Sequence, residues 1–175
     1  MQLQDGRVVA FYSDPTVAFL RVPFWRSASF VLPLLLGAAV VLILTVVFWP
    51  FNALVRRHYG IGLRLSPREA FSRRLSRLGA LVNVTFLAGW AFVTMNLVSH
   101  LYAFNDSLDP WLRALQVIGV LGVFGAVAAL WDAWLVVRGR RGWTAKSWSV
   151  VLAAASLVIV WLDFAFQLIG ISLEY

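Results

Sequence analysis

The chain is expected to be an all-α integral membrane protein, a four-transmembrane-helix bundle with a short extramembrane N-terminal tail. Hydrophobic residues fill 61% of its 175 positions and charged residues only 13%, against roughly 45–50% and 25% in soluble domains. The apolar residues also gather into long runs of about 20 residues or more, the length that crosses a hydrocarbon core of about 30 Å as a helix. The surplus apolar surface must be solvated by lipid, which excludes a soluble globule. The absence of cysteine excludes a disulfide framework, a thiolate metal site, a cysteine nucleophile and thiol-based quinone chemistry.

The tail, residues 1–28, carries turn signals at Asp5-Gly6 and Ser13-Asp14-Pro15, and between them Arg7 to Tyr12 reads as a short strand. A lone strand is not stable in water, and nothing else in the sequence offers an external sheet. The tail is therefore expected to be the last strand and linker of a larger exported domain.

The membrane domain is expected over residues 29–170. Its first span, 29–49, has no charge, carries Pro33 in its opening turn and ends at Trp49-Pro50. It starts too late and is too long for a cleavable signal peptide. Ser66-Pro67-Arg68-Glu69 then has Ser at the cap, Pro at the first helical position and Glu at the third, the pattern of a capping box. Beyond it, Ala70, Phe71, Leu75 and Leu78 fall on one face and Arg73, Arg74 and Arg77 on another, an amphipathic approach to the second span, 78–104. The third span covers 111–137 and the fourth 148–170, leaving 171–175 as a short exported C-terminus.

Charge sets the expected orientation. The formal net charge is +7, and all but one of the 15 basic residues are Arg. Seven lie in the interval 50–77 and four in 138–147, against four (Arg7, Arg21, Arg26 and Arg113) on the other side. Positive loops stay in the cytoplasm, which puts both termini outside. Trp25 and Trp111 at one border and Trp49, Trp143 and Trp148 at the other agree with interfacial belts. Such clusters flanking spans are the pattern of membrane contact, with Arg73, Arg74 and Arg77 facing anionic headgroups. No nucleic-acid partner is expected, because no folded soluble face carries the basic residues.

Polar residues inside the spans are costly, about 2.5–3.5 kcal/mol for an Asp at mid-bilayer. Asp132 shares a face with Leu121, Gly125 and Ala128, and Arg138, Arg140 or a loop arginine is placed to neutralise it by snorkelling. Ser149, Ser156, Asp163 and Gln167 make one stripe on the fourth span, and Thr85, Gly89, Asn96 and His100 a comparable one on the second. If these stripes face each other, His100 meets Asp163, with Arg113 as a competing partner. The pair reads either as interhelical glue or as a proton relay. Gly119, Gly122 and Gly125 predict close backbone packing, for which Ala153-Ala154-Ala155-Ser156 is a receiving surface within the chain. Periodicity leaves a homo-oligomer equally open. No cofactor is expected, and two histidines this far apart without a Glu cluster do not predict a metal site.

The segment Gly6-Arg7-Val8-Val9 through Phe19-Leu20-Arg21-Val22-Pro23-Phe24-Trp25-Arg26-Ser27, followed by Phe48-Trp49-Pro50-Phe51-Asn52-Ala53-Leu54-Val55-Arg56-Arg57-His58-Tyr59-Gly60, resembles the C-terminal membrane region of bacterial serine hydrolases related to beta-lactamases. The likeness is closest over residues 5–80. It implies a non-catalytic anchor for an exported hydrolase, in a bacterial inner membrane. The catalytic pattern of that family is missing: the only Lys is Lys146, with Trp143 three positions before it, so there is no Ser-x-x-Lys, and Tyr102-Ala103-Phe104-Asn105 is one residue too long for Tyr-x-Asn. No catalytic residue is expected here. The alternative expectation is a free-standing small transporter or channel subunit using Asp163 and His100.

Overall fold

The computed structural model describes residues 2–4, 7–14, 17–20, 23–60, 66–99, 109–139 and 142–166. It divides into two units, Met1–Leu34 and Leu35–Tyr175.

In the first unit, strands β1 (Gln2–Gln4), β2 (Arg7–Asp14) and β3 (Val17–Leu20) form an antiparallel sheet in the order β1-β2-β3. Gln4 pairs with Arg7 and Asp14 with Val17. Only two residues therefore separate consecutive strands, the spacing that a tight hairpin requires. This corrects the expectation of an orphan strand: β2 is central, longer than its alternating pattern suggested, and both its partners lie within the tail. Those partners are too short to show a period of their own. A 3-10 turn, Phe24–Arg26, follows. There the Ser27 hydroxyl donates to the Phe24 carbonyl at 2.6 Å, and the Arg26 guanidinium lies 4.6 Å from the centre of the Trp25 ring.

Four helices follow: α1 (Ala28–His58), α2 (Pro67–Ser99), α3 (Asp109–Arg138) and α4 (Trp143–Ala165). Each is long and apolar enough to cross a membrane, and the chain is a multi-pass membrane protein. The boundaries differ from expectation at the basic end. α1 does not stop at Pro50 but continues eight residues to His58. Proline removes one backbone donor, a loss that membrane helices tolerate. Just beyond it, the Asn52 amide donates to the Phe48 carbonyl at 2.8 Å. Pro33 lies in the second turn of α1, not the first.

α2 starts at the capping box and absorbs the amphipathic approach into one continuous helix. The Ser66 backbone N–H donates to Glu69 Oε2 at 2.9 Å, and the Glu69 N–H donates to Ser66 Oγ at 3.3 Å. At a rise of about 1.5 Å per residue, the parts of α1 beyond Trp49 and of α2 before Leu78 reach more than about 10 Å past the spans read from hydropathy.

The interior is built from small residues. Gly79 and Gly125 bring α2 and α3 so close that a Cβ on Gly79 would lie 2.5 Å from the Gly125 Cα. Ala129 and Ala133 of α3 pack on Ala153 of α4. Ala38 and Leu42 bring α1 into a core with Ala80, Phe86, Leu115, Leu152 and Ile159. Large apolar residues such as Leu36, Val47, Phe124, Val127 and Leu157 point outward. That arrangement fits lipid: burying a Leu in protein gains nothing over an acyl chain, so close backbone contact decides which face is internal.

A candidate cleft at the basic end of the bundle

The intervals expected to face the cytoplasm bound a cleft of about 340 Å³ that all four helices line. Helical spacing explains the convergence. Thr45, Phe48, Trp49 and Asn52 are one stripe of α1, Arg73, Ser76 and Arg77 one of α2, and Ala145, Trp148, Ser149 and Leu152 one of α4, with Asp132 and Val136 a turn apart on α3.

Several of its polar groups donate to their own helix. Thr45 Oγ1 donates to the Val41 carbonyl at 2.8 Å, Ser76 Oγ to that of Arg73 at 3.2 Å and Ser149 Oγ to that of Lys146 at 2.9 Å. Their lone pairs remain as acceptors. Between helices, the fully buried Ser72 hydroxyl donates to Asp132 Oδ1 at 2.9 Å. The Arg77 guanidinium lies 5.7 Å from the centre of the Trp49 ring, tying α2 to α1. Arg73, Arg77 and Asp132 thus line the cleft among aromatic and aliphatic residues.

The expected site residues scatter. Asp132 is buried on the α3 face with Gly125 and Ala128 as expected, but Leu121 is exposed and Gly122 takes its place. Ser72 is its hydrogen-bond donor. Arg138 instead stacks on Trp134 at 3.8 Å, and Arg140 lies outside the described residues. Lys146 donates to the Val137 carbonyl at 2.9 Å, closing the end of α3. Arg73 and Arg77 are half-buried in the cleft, whereas Arg74 is exposed, so the three do not act as one face.

On α4 the expected stripe does point inward, with Ser149, Ser156 and Asp163 all buried. On α2 it does not. Thr85 is exposed and bonds its own helix, and Asn96 Nδ2 donates to the Phe92 carbonyl at 2.8 Å. The buried positions of α2 include Ser72, Ser76, Gly79, Ala80, Asn83, Phe86 and Val93. His100 and Gln167 lie outside the described residues, and with them the expected His100–Asp163 pair. Arg113 is exposed in the first turns of α3.

Sequence reading missed Ser72, Ser76 and Asn83. Their signal was present: Ser72, Ser76, Gly79 and Asn83 recur at steps of four, three and four, a small-residue seam. The seam was masked by the larger amphipathic contrast between the leucines and arginines beside it. Phe71, Leu75 and Leu78 do share a face as expected, but that face is exposed. The glycines of α3 are also received differently, since Gly125 meets Gly79 and Gly122 meets Asn83. Only the alanines pack on Ala153.

Comparison of the chain with protein families, characterised proteins and solved structures finds no match.

Proposed function

We propose that this chain is a non-catalytic membrane module that holds an exported serine-hydrolase domain, of the beta-lactamase-related kind, at the outer face of a bacterial inner membrane. Both termini then lie outside and the two basic intervals lie in the cytoplasm. The observation that carries the reading is the covalent order of the chain. A sheet-forming segment is followed by Val22-Pro23-Phe24-Trp25-Arg26-Ser27 and then by a helix long and apolar enough to cross a membrane, which ends in Arg56-Arg57-His58 with Tyr59-Gly60 just after it. The tail strand β2 is already paired on both edges, with β1 and β3. The support is the motif pair and the positive-inside asymmetry.

The test is a serine-reactive fluorescent beta-lactam or fluorophosphonate applied to native membranes, with the chain followed by antibody. The expected result is a labelled hydrolase domain that either migrates as one polypeptide with this chain or purifies with it, and whose Ser-x-x-Lys sequence is coded upstream in frame or in the adjoining gene. A free chain with no labelled companion and no such coding sequence overturns the proposal.

A second reading, a small transporter, draws on Asp163, which is 2% exposed within α4. Buried carboxylates in membrane helices often serve ion or proton paths. Under that reading Asp163→Asn abolishes proton-coupled uptake in vesicles, and unchanged flux removes it.

A further inference from the structure

Away from the cleft, Asn83 of α2 and Asp163 of α4 are sealed inside the bundle, 1% and 2% exposed. In an apolar interior a polar group is stable only with a hydrogen-bond partner. No protein group accepts from Asn83 Nδ2, and among the described residues none donates to Asp163. Helix geometry sets the two at one depth. The Asn83 carboxamide lies against Gly122 of α3, and Ala153 of α4 packs with Ala129 and Ala133 of α3. α3 ends at Arg138 and α4 starts at Trp143, so short a connection that the helices run antiparallel. Ten residues and about 15 Å beyond Ala153, Asp163 therefore comes level with residues 119–123 of α3, which bracket Gly122. Because α4 also packs on α2, the two unpartnered groups share one interior.

Gly122 fixes which end of the carboxamide is free. A Cβ built on Gly122 would stand 2.5 Å from Asn83 Oδ1, so a Cα–H of Gly122 points at that oxygen, as in the weak Cα–H···O contacts of packed helices. The oxygen is engaged with α3, and the nitrogen is left to donate. A free N–H suits an oxygen acceptor and repels a cation. We propose that the Asn83 carboxamide is the hydrogen-bond donor that holds the Asp163 carboxyl group inside the bundle, through one bound water molecule. Nδ2 donates to the water oxygen and the water donates to a carboxyl oxygen of Asp163, which leaves neither end unpaired. Other groups are farther off or already engaged. Trp90 Nε1, also a donor without an acceptor, lies seven residues and about 10 Å further along α2. On α3, Arg113 is exposed and Asp132 accepts from Ser72. Arg77 lies six residues and about 9 Å toward the basic end of α2, Lys146 of α4 bonds the Val137 carbonyl, and α1 carries no charge before Arg56. Asn83 is thus a positioning residue for Asp163, whether or not a hydrolase is attached or anything is transported.

Crosslinking tests the juxtaposition and infrared spectroscopy the bond, both on the full chain in lipid vesicles. The chain has no cysteine of its own. With Asn83→Cys and Asp163→Cys combined, mercuric ion is expected to bridge the two thiols within one chain and to protect both from maleimide. With Thr85→Cys and Asp163→Cys combined, no bridge is expected, because Thr85 is exposed. In the infrared, the Asp163 carboxyl band, identified by its loss in Asp163→Asn, is expected to shift in Asn83→Leu and to return toward its place in Asn83→Gln. Exchange into heavy-oxygen water is expected to move a bound-water O–H band in the unmodified chain, and that band is lost in Asn83→Leu. Failure of mercury to protect the first pair, an Asp163 band indifferent to Asn83→Leu, or no band sensitive to heavy oxygen each overturns the proposal. The water band is read on the unmodified chain, so it decides the matter even if a variant does not fold.

Discussion

Gly79 and Gly125 touch across the α2–α3 seam, and a methyl group on either has nowhere to go. A Cβ at Gly125 would stand 2.6 Å from the Gly79 Cα, against backbone that cannot rotate aside as a side chain can. Gly79→Val is expected to destabilise the bundle by about 1–3 kcal/mol through overpacking. Gly37→Ala, where a Cβ meets nothing within 4 Å, is expected to leave stability unchanged or slightly raised. Detergent-titrated unfolding followed by far-UV circular dichroism checks the pair. Equal behaviour of the two variants contradicts the seam. Gly122 acts the same way toward Asn83, whose side chain lies where a Cβ on Gly122 would be, 2.5 Å from Asn83 Oδ1. Only Gly at that position lets the carboxamide lie against α3.

At the scale of an element, α2 shows how a local signal survives into the folded protein. Ser66 and Glu69 satisfy each other's backbone donors as a capping box does. The helix starts there although hydropathy places its membrane span eleven residues later. Ser66→Ala is expected to cost about 1 kcal/mol and to raise amide hydrogen exchange in the first turn of α2, with little change near Gly79. Unchanged exchange in that turn contradicts the cap. Pro50 shows the opposite case, a local signal that the membrane overrides. A proline that would end a helix in water is accommodated in α1, because an interrupted helix would leave several backbone groups unpaired at the edge of the apolar core. In the tail, the Asp5-Gly6 turn signal falls between β1 and β2, whereas Ser13 and Asp14 of the second signal belong to β2 and only Pro15 lies beyond it. The flanking strands were not legible, since three or four residues cannot display alternation.

For the whole molecule, the distribution of charge makes a prediction that a cysteine-free chain is well suited to test. Single-cysteine variants Ser13→Cys and Thr144→Cys, labelled with a membrane-impermeant maleimide on intact spheroplasts, are expected to differ. The first labels from outside, and the second only after the membrane is opened. The reverse pattern inverts the proposed orientation and takes the exported tail with it.

Composition and run length by themselves determined that the solvent is lipid and that four helices cross it, because an apolar stretch of that length has no other stable home. Which residues face one another was left to tertiary structure. In water, hydrophobic contrast identifies the inner face of a helix, but in lipid the outer face is just as apolar and the contrast vanishes. Selection then passes to shape. Gly79 against Gly125, Ser72 against Asp132 and Ala153 beside Ala129 decide the interior, and in doing so turn Arg73 and Arg77 into one cleft while leaving Arg74, beside them in sequence, to the open surface.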